Sequence, residues 1–264
     1  MSQFKLDTAA YLRRIGMEGP LEPTAENLLR LTRAHLEAVP FENLEVCLEG
    51  REPDLSPEGL YRKVVERRRG GWCFELNKLF YLLLTELGYR CRSVPARVIH
   101  LRTVIRPVTH RATLVTAGGR TWYCDVGFGG AGPKGAIAID TDGEQTVFGD
   151  TFRVTPNTGD YTGWYPGEIT ISRLDGGRWE PVLCFRDTDV WQDQDFGTLS
   201  GYFAAHPHSP FKGKAVLYRC TPGGWISLVD RHLVRLDRGL RTEADLAPEQ
   251  VQTVISQEFG LTLS

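Results

Sequence analysis

The chain has no surplus charge of either sign. Its 31 Lys and Arg against 33 Asp and Glu leave a formal net charge of −2, which excludes a basic footprint for nucleic acid. It has no long apolar run. "LFYLLL" is far too short to span a bilayer, and the N-terminal "MSQFKLDTAAYLRRIG" lacks the apolar core of a signal peptide. A cytoplasmic protein without membrane contact is expected. Internal repeats and low-complexity tracts are missing too. The six cysteines, at 47, 73, 91, 124, 184 and 220, show no C-x-x-C or other metal-type spacing. Reduced thiols and no metal are therefore expected.

What is present is a 264-residue chain of ordinary globular composition, 41% hydrophobic and 24% charged, long enough to bury a sizeable core. The first third reads helical. Asp7 can cap "TAAYLRRI" ahead of Gly16, Thr24 can cap "AENLLRLTRAHLEA" ahead of Pro40, and Ser56-Pro57 opens "PEGLYRKVVERR". Arg67, Arg68 and Arg69 read as the solvated end of that helix. A fourth helix is expected from about Cys73 to Leu87, with Phe80, Leu83, Leu84 and Leu87 on one face and Gly88 closing it.

From residue 90 the texture becomes β. "RATLVTA" and "RTWYCDV" flank Gly118-Gly119, "ITISRL" and "RWEPVLCF" flank "DGG", and "AVLYRC" and "WISLVDRHLVRL" flank "TPGG". Several hairpins at this spacing suggest a barrel or a strongly curved sheet. "PEQVQTVISQEF" before Gly260 reads as a closing helix. Residues 186 to 212 read as irregular, a linker or a loop over a site.

Five of the cysteines are read as small buried hydrophobes. Cys73 differs: in "RRRGGWCFELN" it follows Gly70 and Gly71, which let the backbone turn tightly, and it opens a helix, where free N–H groups and the helix dipole favour a thiolate. A cysteine nucleophile needs a base, and the base needs an orienting group. If Gly118-Gly119 is a two-residue loop, Ala117 pairs with Arg120. Counting on, Ala112 falls opposite Asp125 and His110 opposite Gly127. His110 and Asp125 then share a face as diagonal neighbours, roughly 7–8 Å apart at the backbone, with only Ala112 between them. A three-residue loop would put them on opposite faces. The other histidines have weaker contexts: His35 in a helix, His100 and His232 in strands, His206 and His208 in a Pro-containing loop.

"VPFENL" at 39–44, "RGGWCFELN" at 69–77, "TH" followed by "LV" at 109–115 and "DVGFGG" at 125–130 stand in the order and spacing of the arylamine N-acetyltransferases. The chain resembles that family from "YLRRIG" to the terminal "FGLTL". The resemblance implies an α+β fold with a cysteine-protease/transglutaminase-like catalytic core. Residues 1–88 would be a helical bundle carrying the cysteine, 89–190 a β-barrel carrying the histidine and aspartate, and 191–264 an interdomain loop and α/β lid. It implies Cys73, His110 and Asp125 as a catalytic triad, and Phe41, Phe128 and Thr109 at the acceptor pocket. Coenzyme A, as acetyl-CoA, would lie along Gly129, Gly130, His206 and Phe211, in the cleft between "GFGG" and "AAHPHSPF".

The implied reaction is ping-pong acyl transfer from acetyl-CoA, through an acyl-Cys73, to the nitrogen of an arylamine or arylhydrazine. Two departures from the family pattern bear on it. Ala204 and Ala205 replace hydroxyl residues before the His-Pro element, and "RAT" after His110 replaces a more apolar run. A second reading within the same chemistry is an amide synthase that takes a longer acyl or polyketide thioester from a carrier protein. A third is a thiol hydrolase, disfavoured because "VPFENL" and "DVGFGG" have no reason to recur there. The sequence is silent on oligomeric state.

Overall fold

The computed structural model describes residues 4–100, 107–156 and 168–262. Helix starts coincide with the capping side chains. Helix α1 (Thr8–Arg14) begins where Asp7 accepts the Ala10 N–H, and α2 (Ala25–Ala38) where Thr24 accepts the Asn27 N–H. A two-residue strand, β1 (Phe41–Glu42), and a single turn, α3 (Leu44–Cys47), follow. Ser56 caps α4 (Pro57–Tyr61), but the expected continuation widens into a π-helical turn over Arg62–Glu66. That turn carries Lys63 inward, where its ammonium lies 2.7 Å from Glu75 and 2.5 Å from Glu45. Arg69 is not solvated as expected either, because its guanidinium pairs with the buried Glu42 at 2.9 Å.

Helix α5 (Cys73–Glu86) is buried on nearly every side. Phe74, Leu76, Leu79, Phe80, Leu83 and Leu84 are all buried in one cluster with side chains of α1, α2 and α4, each burial stabilising the fold by roughly 1.5–3 kcal/mol. Short as they are, the first helices are held by this shared core.

The strands β2 (Arg90–Val98), β3 (His110–Ala117), β4 (Arg120–Asp125), β5 (Gly135–Ala138), β6 (Gln145–Val147), β7 (Asp150–Pro156), β8 (Ile169–Asp175) and β9 (Arg178–Phe185) form one antiparallel sheet in the order β5-β4-β3-β2-β9-β8-β7-β6. The sheet curls until its edges nearly meet. The Gln145 side-chain amide joins them, accepting from the Ala138 N–H at 2.8 Å and donating to the Ala138 carbonyl at 2.9 Å. Alternate residues, among them Val94, Ala112, Leu114, Tyr123, Ile137 and Phe185, fill the inside. The Gly118-Gly119 turn has both residues at positive φ, 59° and 73°, as a two-residue hairpin loop requires. The register is the one read from sequence, running from Ala117↔Arg120 to Thr113↔Cys124.

The stretch 186–212 holds a helix, α6 (Asp193–Ala205). Gly197 and Gly201 conceal it, since each glycine costs a helix about 1 kcal/mol relative to alanine. A Cβ on Gly201 would lie 2.8 Å from the carboxylate of the exposed Glu52, a side chain that can swing aside. "WISLVDRHLVRL" breaks at Asp230, φ 53°, so a second sheet contains β10 (Val216–Thr221), β11 (Gly224–Val229), β12 (His232–Asp237) and β13 (Leu240–Asp245). Strand β1 adds to the edge at β10, pairing Phe41 with Tyr218. Helix α7 (Pro248–Phe259) closes the chain where expected, with Gly260 in the left-handed region.

Candidate active site

Cys73 is the first residue of α5, and Trp72 before it is extended. The Trp72 N–H donates to the Glu75 carboxylate at 3.1 Å, and the Lys63 ammonium holds that carboxylate from the other side. Helix starts leave their first N–H groups without intrahelical partners, so those of Cys73 and Phe74 stay outside the helical ladder. The glycines before it act differently from the sequence reading. Gly70 and Gly71 are not at positive φ; they permit close approach. A Cβ on Gly70 would lie 2.1 Å from the Pro40 carbonyl oxygen, and Gly71 forms a parallel bridge to Phe41.

His110 begins β3 and Asp125 ends β4, both on the inner face at the barrel rim. His110 Nε2 lies 2.5 Å from Asp125 Oδ2, and both residues are at most 3% exposed. The His110 ring is also within hydrogen-bonding reach of the Cys73 thiol, whose sulfur lies 3.9 Å from the Thr109 carbonyl. Burial opposes a charged ring, yet the Asp125 carboxylate, and after it the Cys73 sulfur, outweigh burial and raise His110 to about 10. Asp125 is itself held by four donors: the His110 ring, the Gly127 N–H at 2.9 Å, the Asn77 amide at 2.9 Å and the Tyr123 hydroxyl at 3.3 Å. A nucleophile, a base and an orienting carboxylate are thus brought together from a helix and two strands. The arrangement suits covalent acyl transfer.

The profile of the N-acetyltransferase family matches residues 24–264. An arylamine N-acetyltransferase / N-hydroxyarylamine O-acetyltransferase of Salmonella typhimurium is 34% identical, over 96% of this chain and 88% of that one. The chain belongs to the arylamine N-acetyltransferase family. The solved structure of the Mycobacterium marinum arylamine N-acetyltransferase in complex with CoA is similar at a TM-score of 0.88 and 30% identity, covering 97% of this chain and 93% of that one. A proansamycin X synthase of Amycolatopsis mediterranei is also similar, 32% identical over 75% of this chain and 74% of its own.

As a member of the arylamine N-acetyltransferases, the chain is expected by resemblance to use Phe41, Phe128, Gly129, Gly130, His206 and Phe211 for acceptor and coenzyme. Phe128 lies with its ring 5.3 Å from that of His110. Phe41 is buried, and its ring fills the space a Cβ on Gly129 would need, 2.5 Å away. Gly129 is left-handed, φ 70°, so both its conformation and its space demand glycine. Gly130 has open space around it. Phe211 packs edge-on against Trp72, ring centroids 5.2 Å apart, beside the cysteine. His206 caps α6, with its Nδ1 accepting from the His208 N–H at 3.2 Å and its ring against Tyr202 at 4.7 Å. Ala204 is buried in the same core cluster as Phe203, whereas Ala205 is exposed.

Two residues escaped the sequence reading. Asn77 is fully buried one helical turn after Cys73, on the same face of α5. Its amide donates to the Arg111 carbonyl at 2.6 Å and to Asp125, and accepts from the Val126 N–H at 2.9 Å. Continuing the hairpin register puts Arg111 opposite Val126, just past the last paired residues. Asn77 therefore bridges the two strands where they part. The signal was a polar residue at i+4 from the cysteine within an apolar helix. Tyr123, two residues before Asp125 and on its face, is the other.

Of the remaining cysteines, Cys124, Cys184 and Cys220 are buried as expected, and Cys47 and Cys91 are half-buried. Burial pushes the Cys124 thiol well above the usual range and Cys220 up to about 12.

Proposed function

We propose that this enzyme transfers the acetyl group of acetyl-CoA to the nitrogen of an arylamine or arylhydrazine through an acetyl-Cys73 intermediate. The observation that carries the reading is a cysteine at the start of α5 set against a buried His110–Asp125 pair. The Cys73 thiolate attacks the thioester carbonyl carbon, and the coenzyme sulfur leaves with a proton from the His110 imidazolium. The acceptor nitrogen then attacks the acetyl-thioester, His110 takes its proton, and the Cys73 sulfur departs. Asp125 holds the ring in one tautomer and balances its charge. The oxyanion of each tetrahedral intermediate is stabilised by backbone N–H groups at the helix start, that of Cys73 first.

Phe41, Phe128 and Thr109 wall the acceptor site in this proposal, and Gly129, Gly130, His206 and Phe211 border the coenzyme cleft. An apolar acceptor site favours planar aromatic amines, which are largely unprotonated at neutral pH. We read the chain as three parts, 1–88, 89–190 and 191–264, with the triad at the junction of the first two. We read the protein as cytoplasmic from the lack of an apolar signal segment in its sequence; among the described residues no helix is long and apolar enough to cross a membrane.

Incubation with acetyl-CoA followed by intact-mass measurement tests the reading. One acetyl group on the Cys73 peptide, discharged by an added arylamine, is the expected result. No adduct from acetyl-CoA, together with an adduct from a longer acyl thioester, would favour the amide-synthase alternative.

A further inference from the structure

Behind the candidate triad lies a second set of charges that the reaction as proposed does not use. Arg111 follows His110 directly, so its side chain leaves the opposite face of β3. It is 1% exposed, its Nη2 donates to Ser93 Oγ at 2.7 Å and to Asp193 Oδ1 at 2.9 Å, and its guanidinium lies 4.5 Å over the Phe196 ring. Its Nε and Nη1 are buried without a partner among the described residues. Lys78, the residue after Asn77, places its ammonium 2.8 Å from the other oxygen of the same Asp193 carboxylate. Asp193 is the first residue of α6.

One carboxylate therefore joins two cations, each the sequence neighbour of a residue that holds the triad. The arithmetic of charge gives the cluster a role. With the thiolate, imidazolium and carboxylate formed, Cys73, His110 and Asp125 carry one net negative charge in a buried site. Lys78, Arg111 and Asp193 carry one net positive charge. A buried guanidinium that leaves two of its nitrogens unpartnered among the described residues is costly for the fold, which gives reason to look for what its charge does there.

We propose that Arg111 and Lys78, fixed by Asp193, are positioning residues that act as the counter-charge of the triad and hold Cys73 and His110 in their thiolate–imidazolium form. Burial pulls the Arg111 guanidinium below its ordinary range, against the pull of Asp193 first and then of Tyr81 and Cys73, so the sulfur lies within its electrostatic reach. The Asp193 carboxyl, pushed up by burial, is nevertheless held below the usual carboxylate range by Lys78 and Arg111, so the cluster stays ionised. Titratable groups within electrostatic reach of the Cys73 sulfur include His110 and Arg111 from β3 and Tyr123 from β4, with Asp125 acting through His110.

This inference rests on Cys73 as the nucleophile, and the test reads that thiol without any acyl donor. The rate of iodoacetamide alkylation at Cys73, mapped by peptide mass, is measured against pH for the intact enzyme and for Arg111→Met, Lys78→Met, Asp193→Asn and Arg111→Lys. Removing either cation should raise the midpoint of the alkylation profile by roughly 0.5–1 pH unit, a three- to tenfold change in reactive thiolate below it. Asp193→Asn, which leaves the cations uncompensated, should lower it by a similar amount. Arg111→Lys, keeping the charge, should return it close to the parent value.

Opposite signs are the signature, because lost packing would disturb every variant in one direction. Should Arg111→Met fail to fold, Lys78→Met and Asp193→Asn still carry the comparison. Midpoints that agree within about 0.2 unit, or that move the same way for cation and carboxylate, overturn the counter-charge assignment. Alkylation that maps to another cysteine overturns the nucleophile itself.

Discussion

Replacing Asn77 tests the site at a residue that touches no substrate. In Asn77→Ala three buried hydrogen bonds disappear: to the Arg111 carbonyl, to Asp125 and from the Val126 N–H. The Arg111 carbonyl and the Val126 N–H are left facing each other across the gap where β3 and β4 have parted, too far along the hairpin to resume their ladder. Each buried polar group without a partner costs about 1–3 kcal/mol. Water entering the vacated space recovers part of this, so the fold should lose about 2–4 kcal/mol. Asp125 keeps three of its four donors but loses the one from α5, which fixes its distance from Cys73.

An error of about 1 Å in the pairing of base and nucleophile costs on the order of a hundredfold in rate. Asn77→Ala should therefore lower the single-turnover rate of Cys73 acetylation by about that factor, while urea denaturation reports the smaller stability. Asn77→Asp separates the two effects. It still accepts from Val126 but sets a second carboxylate against Asp125, so its rate should fall further. An Asn77→Ala enzyme with unchanged midpoint in urea and unchanged acetylation rate would refute the bridging role.

Asp125→Asn should keep the fold and lose about a thousandfold or more in acetyl transfer, because the amide neither holds the tautomer nor raises the His110 ring as the carboxylate does; near-parental activity would make Asp125 structural. Cys73→Ala should abolish the acetyl adduct while the half-buried Cys47→Ala retains it, read by intact mass. His35 is fully buried with neither ring nitrogen bonded among the described residues, and burial, with the Arg14 charge, pushes it down to about 3. It is neutral in the fold and takes up a proton on unfolding below about pH 6.5, so stability should fall by about 1.4 kcal/mol per unit from there toward pH 3. His35→Phe, packed between Tyr11 and Phe80, should flatten that slope in urea titrations at pH 7, 5.5 and 4.5; identical slopes would count against it.

Local chemistry was the legible part of the fold. Asp7, Thr24 and Ser56 each announce a helix because a short polar side chain can take a free N–H at that one position, and all three do so. The Gly118-Gly119 loop was legible for the same reason, and from it the face shared by His110 and Asp125. What stayed hidden depends on distant partners. Helix α6 is masked by Gly197 and Gly201, yet it is held by the burial of Phe196 and Phe203 in a core built mostly from the first third of the chain. Strands β5 and β6 are short, and a side-chain amide rather than a continuous ladder joins their edges.

The hairpin register puts His110 and Asp125 on one face, but an unbroken ladder would also bond Arg111 to Val126 and leave no opening between the strands for a third group. The site needs the ladder to fail at one step, and a buried amide on α5 is what makes the failure affordable in free energy. Asn77 accepts and donates at once, so neither parted backbone group is orphaned, and its second donor proton goes to Asp125. That one side chain sets the spacing between the helix carrying Cys73 and the strands carrying its partners. Spacing of this kind is a property of three elements meeting. No periodicity within any one of them encodes it, which is why the triad could be picked out residue by residue while the group that aligns it could not.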